Sequence, residues 1–117
     1  MTLVYLASPY SHEDPDVRKW RFLRAVDAAV LLMAQGHLVF SPIAHSHAIA
    51  ARHGLPCDFG FWAEFDERMI AACDAMVVLC LDGWAHSAGV TAEIALAEQM
   101  GKPVKYLDNT SEGWETF

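Results

Sequence analysis

The stretch AMVVLCL, residues 75–81, decides the fold of this chain. A strand with one wet face alternates apolar and polar residues. A strand apolar along its length suits the centre of a parallel sheet, buried on both faces. Asp82-Gly83 stops the run. A helical pattern follows from about Ala88 to Met100 and closes at Gly101. Upstream, LVYLA (3–7) predicts a first strand ending in small residues and Pro9. Val17, Trp20, Leu23, Val26, Val30 and Leu31 recur at helical spacing and predict a helix over Asp16–Gln35. Asp14 or Asp16 can cap its start, and Gly36 fits its end. LVF (38–40) predicts a second strand, stopped by Ser41 and Pro42.

The histidine-bearing segment SPIAHSHAIAARHGLP predicts a short helix near 45–53, and a second long helix is expected over Phe59–Ala72. Pro103–Leu107 predicts a last strand. The tail DNTSEGWETF is polar with two aromatics and is expected to pack on a neighbour. Strands alternating with helices predict an α/β fold with a parallel sheet of four to five strands, covered by helices on both faces.

The chain has 117 residues, 54% of them apolar, so one domain with a real core is expected over 1–117. No apolar run approaches the ~20 residues of a membrane span. The N-terminal run lacks a basic segment, so neither a signal peptide nor a membrane partner is expected. A net charge of −7 argues against a nucleic-acid polymer as partner. It permits a small anionic ligand held by backbone N–H groups and one or two arginines. Cys57, Cys73 and Cys80 have no metal-type spacing. Three free thiols fit a cytoplasmic location. Trp20, Trp62, Trp84 and Trp114 are many for so short a chain, and a homo-oligomer is expected, since tryptophan is enriched at interfaces.

Ligands of open parallel sheets bind at the carboxyl ends of the strands. Three loops therefore matter: Ser8–Asp14, Ser41–His53 and Asp82–Gly89. In the stretch SAGVTAEIALA (87–97), which opens the helix after the third, one acid, Glu93, sits among alanines, a valine and an isoleucine; Glu98, five residues on, points elsewhere. One reading is a carboxylate favoured by the helix dipole. The other is a carboxylate aimed at the strand ends, where it serves as nucleophile or as partner to a cationic transition state.

SAGVTAEIALAEQMGKPV (87–104), CDAMVVLCLDG (73–83) and VYLASPYS (4–11) together resemble the nucleoside 2-deoxyribosyltransferase family. The resemblance covers most of the chain, is strongest over 74–104 and is weak between 41 and 65. It implies a flavodoxin-like three-layer α/β/α sandwich, and no cofactor or metal is expected. It also implies cleavage or transfer at the N-glycosidic bond of a 2′-deoxynucleoside or its 5′-monophosphate. In that family the Glu matching Glu93 attacks the anomeric carbon. The Tyr matching Tyr5 orients it, and the Asp matching Asp66 acts near the base. The segments matching Ala7, Ser8, Pro9 and Tyr10, and Asp82, Gly83, Ser87 and Gly89, enclose the sugar.

Two departures bear on substrate. Ser87 stands where the transferases often carry an Asp. A serine there is similar to the deoxynucleoside 5′-monophosphate N-glycosidases, in which it contacts phosphate, and this shifts the expected acceptor toward water. The first loop, ASPYSHEDPD, is neither glycine-rich nor basic as in those glycosidases.

The residue types suit the chemistry. A carboxylate stabilises the positive charge that builds on a sugar as its glycosidic bond breaks. Asp66 can supply a proton to the departing base. Phe40, Ile43, Phe59 and Trp62 are candidates for a flat apolar slot, although core packing is the commoner fate of such residues. The pair His45 and His47, with His53 beyond, gives only a weak metal signal, with no nearby Cys or acid to complete a site. His12 and His86 lie on the ligand-facing loops. Arg18, Lys19 and Arg21 open the first long helix near the same face; one can pair with a phosphate, against a default of a solvated helix face. The competing function is a protein that binds or senses a nucleotide without turning it over.

Overall fold

A computed structural model describes residues 2–56 and 59–108. The sheet has four parallel strands, β1 (Leu3–Ala7), β2 (Leu38–Phe40), β3 (Ala75–Cys80) and β4 (Val104–Asp108), in the order β2-β1-β3-β4. Among the described residues four α-helices connect them, with two between β2 and β3: α1 (Pro15–Ala34), α2 (Pro42–His53), α3 (Phe59–Ala72) and α4 (Ala88–Gln99). This is the expected flavodoxin-like α/β architecture. Beyond Asp108 the tail lies outside the described residues, as does Cys57.

The strand order fixes the layers. The connection β1→β2 steps one way across the sheet, while β2→β3 and β3→β4 step the other way. Right-handed crossovers then put α1 on one face and α3 with α4 on the opposite face. The core divides accordingly. Val4, Leu6, Leu79 and Leu81 pack with Ala28, Ala29 and Leu32 of α1. Tyr5, Ala7, Met76 and Val78 pack with Ile70, Val90 and Ala97 from α3 and α4. Alternate residues of β1 and β3 thus feed opposite cores, which is why both strands are apolar throughout. Burying each such leucine contributes about 2 kcal/mol.

The reversal of direction lies between β1 and β3, paired from Val4↔Ala75 to Ala7↔Val78. The crevice beyond their carboxyl ends is the place where open α/β sheets bind ligands.

Most element bounds agree with the sequence reading; two features differ. The second helix begins at Pro42 rather than near His45. The Ser41 hydroxyl accepts from the Ala44 N–H at 3.1 Å, and Pro42 occupies the first turn. The Ser-Pro pair that stops β2 therefore also starts a helix, with serine as cap and proline where its missing N–H costs nothing. Trp84–His86 forms a short 3-10 turn within a segment read as loop. Of the two candidate caps for α1, Asp14 serves, accepting from the Asp16 N–H at 2.9 Å. Asp74 is structural: its Oδ2 accepts from the Leu3 N–H at 2.9 Å and ties the starts of β1 and β3 together.

Candidate active site

A cavity of about 380 Å³ opens at the β1/β3 switch point. Four walls build it. The loop after β1 supplies Ser8, Tyr10, Ser11 and His12, with Arg21 from α1 beside them. The segment after β3 supplies Gly83, His86, Ser87 and Gly89. α2 contributes Pro42, Ile43, Ser46, His47 and Ala50. α3 and α4 contribute Trp62, Asp66 and Glu93.

Glu93 is the best-defined group. It is 5% exposed, in the second turn of α4, and it accepts a hydrogen bond from the Tyr5 hydroxyl. Tyr5 projects from β1 into the same core face and is fully buried. An isolated buried carboxylate is costly, so burial favours the neutral form. Burial raises the Glu93 pKa to about 8; the Tyr5 hydrogen bond opposes this, and Asp66 adds to it. Burial, and then the Glu93 and Asp66 charges, pushes the Tyr5 phenol far up, so it stays a donor.

Asp66 is 7% exposed, and burial raises it to about 6 against the influence of Tyr5. Its Oδ1 is buried without a hydrogen-bond partner, as is the Ser8 hydroxyl oxygen. Orphaned polar atoms of this kind are uncommon in native interiors, and here both residues line the cavity. A ligand with complementary polar groups would satisfy them.

Arg21 brings a positive charge to the cavity lining. Arg21 donates from Nη1 to the Ser11 carbonyl at 3.0 Å and from Nη2 to the Asp82 carbonyl at 3.2 Å. It thereby straps the loop after β1 to the loop after β3. Gly83 sits against this strap with φ +88°, and a Cβ there would lie 3.1 Å from Arg21 Nη2. Ser87 caps α4, its hydroxyl accepting from the Val90 N–H at 3.2 Å.

Of the residues singled out from the sequence, Glu93, Asp66, Ser8, Tyr10, Gly83, Ser87 and Gly89 converge on the cavity. Tyr5 lies behind it and reaches it through Glu93. Three do not line it. Ala7 is in the core, Pro9 is buried, and Asp82 offers its backbone carbonyl to Arg21. The proposed slot is half supported: Ile43 and Trp62 line the cavity, but Phe40 packs on Tyr5 at 5.8 Å between ring centroids. The Phe59 side chain lies outside the description. His45 and His47 diverge. His45 is exposed and stacks on Phe65, whereas His47 lines the cavity and bonds Tyr10. Among the described residues, no group of three His, Cys, Asp or Glu side chains is placed to hold a metal ion. No helix among them is long and apolar enough to cross a membrane.

A family model described as a domain of unknown function, DUF1937, matches residues 2–109. The chain belongs to the DUF1937 family. No curated protein matches it. Among solved structures, this DUF1937 chain is similar to a 2-deoxyribosyltransferase from the psychrotolerant bacterium Bacillus psychrosaccharolyticus, at 26% identity and a TM-score of 0.65. The match covers 94% of this chain and 74% of that one. The fold relationship to a nucleoside-modifying enzyme is thereby shown.

Proposed function

We propose that the chain cleaves or transfers at the N-glycosidic bond of a 2′-deoxynucleoside or its 5′-monophosphate, with Glu93 as nucleophile. The observation that carries this reading is the buried Tyr5–Glu93 hydrogen bond beside Asp66, in a cavity open to a small molecule. The likeness to a 2-deoxyribosyltransferase supports it.

In the first step a Glu93 oxygen bonds to C1′ while the C1′–N bond breaks. Its electron pair leaves with the base nitrogen, which takes a proton from Asp66. In the second step water or another base attacks C1′, the ester bond to Glu93 breaks, and Asp66 recovers a proton from the attacking atom. Tyr5 holds the attacking carboxylate in place and favours its charged form. The two carboxyls, at about 6 and about 8, hold one proton between them in the intervening pH window. The state with that proton on Asp66 and the charge on Glu93 is the reactive one.

Arg21 suits a 5′-phosphate. It lines the cavity together with His12 and His86 and with Ser87, Ala88 and Gly89 at the N-terminus of α4, whose positive dipole end attracts anions.

One observation favours the alternative of a non-catalytic nucleotide binder: with its pKa raised to about 8, most Glu93 is protonated in the free protein at neutral pH. A single experiment separates the two. Each 2′-deoxynucleoside and 5′-monophosphate is incubated with the protein, with and without a second free base, beside Glu93→Ala. Base release lost in the variant supports glycosidic cleavage, and base exchange makes it a transferase. Binding without release by the wild type supports the binder.

A further inference from the structure

The α2 wall of the cavity carries one polar ring whose orientation is already fixed. Residues three and four apart share a helix face. Ile43, Ser46, His47 and Ala50 do so on α2, and all four line the cavity. Trp62 and Asp66, one turn apart on α3, also line it. Apolar groups with a few polar atoms among them are what a flat heteroaromatic ring requires.

His47 is held by two neighbouring rings. Its ring stacks on Phe22 of α1, with centroids 4.3 Å apart and planes 19° from parallel. Its Nδ1 is hydrogen-bonded to the Tyr10 hydroxyl, and the Tyr10 ring meets it edge-on. A phenol is the better donor and an imidazole nitrogen the better acceptor, so Tyr10 donates to Nδ1. Nε2 then carries the ring proton. Burial, then Arg18, lowers the His47 pKa, which keeps the ring neutral with a single N–H.

We infer that His47 reads the edge of the nucleobase, its Nε2–H donating to an exocyclic carbonyl, and so selects oxo bases over their amino counterparts. This specificity rests on the glycosidic reading above. Facing an exocyclic amine, Nε2–H would oppose another donor, and both would lose their partners on leaving water. The Ser46 hydroxyl can donate or accept and does not impose this choice.

The test uses matched pairs: 2′-deoxyinosine against 2′-deoxyadenosine, and 2′-deoxyuridine against 2′-deoxycytidine, each also as the 5′-monophosphate. Two ratios are read, kcat/KM for base release by the wild-type frame and Kd in a Glu93→Ala background. The wild type should favour the oxo member about tenfold, the size of one neutral hydrogen bond. His47→Leu should bring the ratio near one. His47→Gln, which keeps an N–H donor, should retain part of it. Tyr10→Phe, a milder change that frees Nδ1, should lower it even if His47→Leu fails to fold. An unchanged ratio in both His47→Leu and Tyr10→Phe overturns the inference, as does a wild type that prefers amino bases. If no compound is turned over, the glycosidic reading fails while the Kd ratio still decides the role of His47. If none binds, both fail.

Discussion

Replacing Glu93 by Gln tests the electrostatics of the site without reference to any substrate. Gln keeps the shape and an oxygen that can accept from Tyr5, and it removes the titration. Burial holds the folded-state pKa of Glu93 at about 8, above its ordinary value of 4.5. Between those values the unfolded chain has released the proton and the folded chain retains it. Stability must therefore fall as pH rises through this window. One retained proton corresponds to ~1.4 kcal/mol per pH unit. From about pH 5.5 to about pH 7.5 the wild type should thus lose roughly 3 kcal/mol relative to Glu93→Gln. The other titrating groups, Asp66 and the histidines included, occur in both proteins and largely cancel in the difference. Urea unfolding at a series of pH values, extrapolated linearly to water, measures it. A flat difference would mean that Glu93 titrates at its ordinary value. A difference that moves in favour of the wild type as pH rises would mean an ionised, stabilised Glu93, and the reasoning would be wrong.

Three further outcomes follow from the geometry. Base release should show a bell-shaped pH profile with limbs near about 6 and about 8; Asp66→Asn should abolish the falling limb and leave a single rising limb set by Glu93 alone, below about 8 because the Asp66 charge that helps to raise Glu93 is gone. Tyr5→Phe removes the bond that favours the charged Glu93, so the rising limb of activity should move to higher pH and urea unfolding should report a loss of ~1–2 kcal/mol. Gly83→Ala forces a side chain into the left-handed region against Arg21; thermal unfolding should report a cost of ~1–2 kcal/mol, and KM should rise more for 5′-monophosphates than for nucleosides.

The scaffold was readable from local pattern because it is encoded locally. β3 is apolar along its length since both faces are covered, and the start of α1 shows in the capping candidate Asp14. The site is encoded in contacts between distant residues. Tyr5 and Glu93 lie 88 positions apart, and only the resemblance brought them together. Arg21 matched the solvated face of a helix, because its partners are backbone carbonyls 10 and 61 positions away, invisible to side-chain pattern. In the sequence His47 reads as half of a weak metal motif. Its fixed orientation comes from Tyr10 and Phe22, which no spacing rule connects to it. Ser-Pro both ends a strand and caps a helix, so local pattern does not show on its own that α2 starts at Pro42.

The central claim is that Glu93 forms a covalent bond to the sugar, and peptide mass spectrometry tests it most directly. The protein is mixed with each 2′-deoxynucleoside and 5′-monophosphate, quenched in acid within the first turnover, and then digested. The account predicts a sugar adduct on the peptide containing Glu93, absent from Glu93→Ala. Base release with no adduct on that peptide, or equal release by Glu93→Ala, would contradict it.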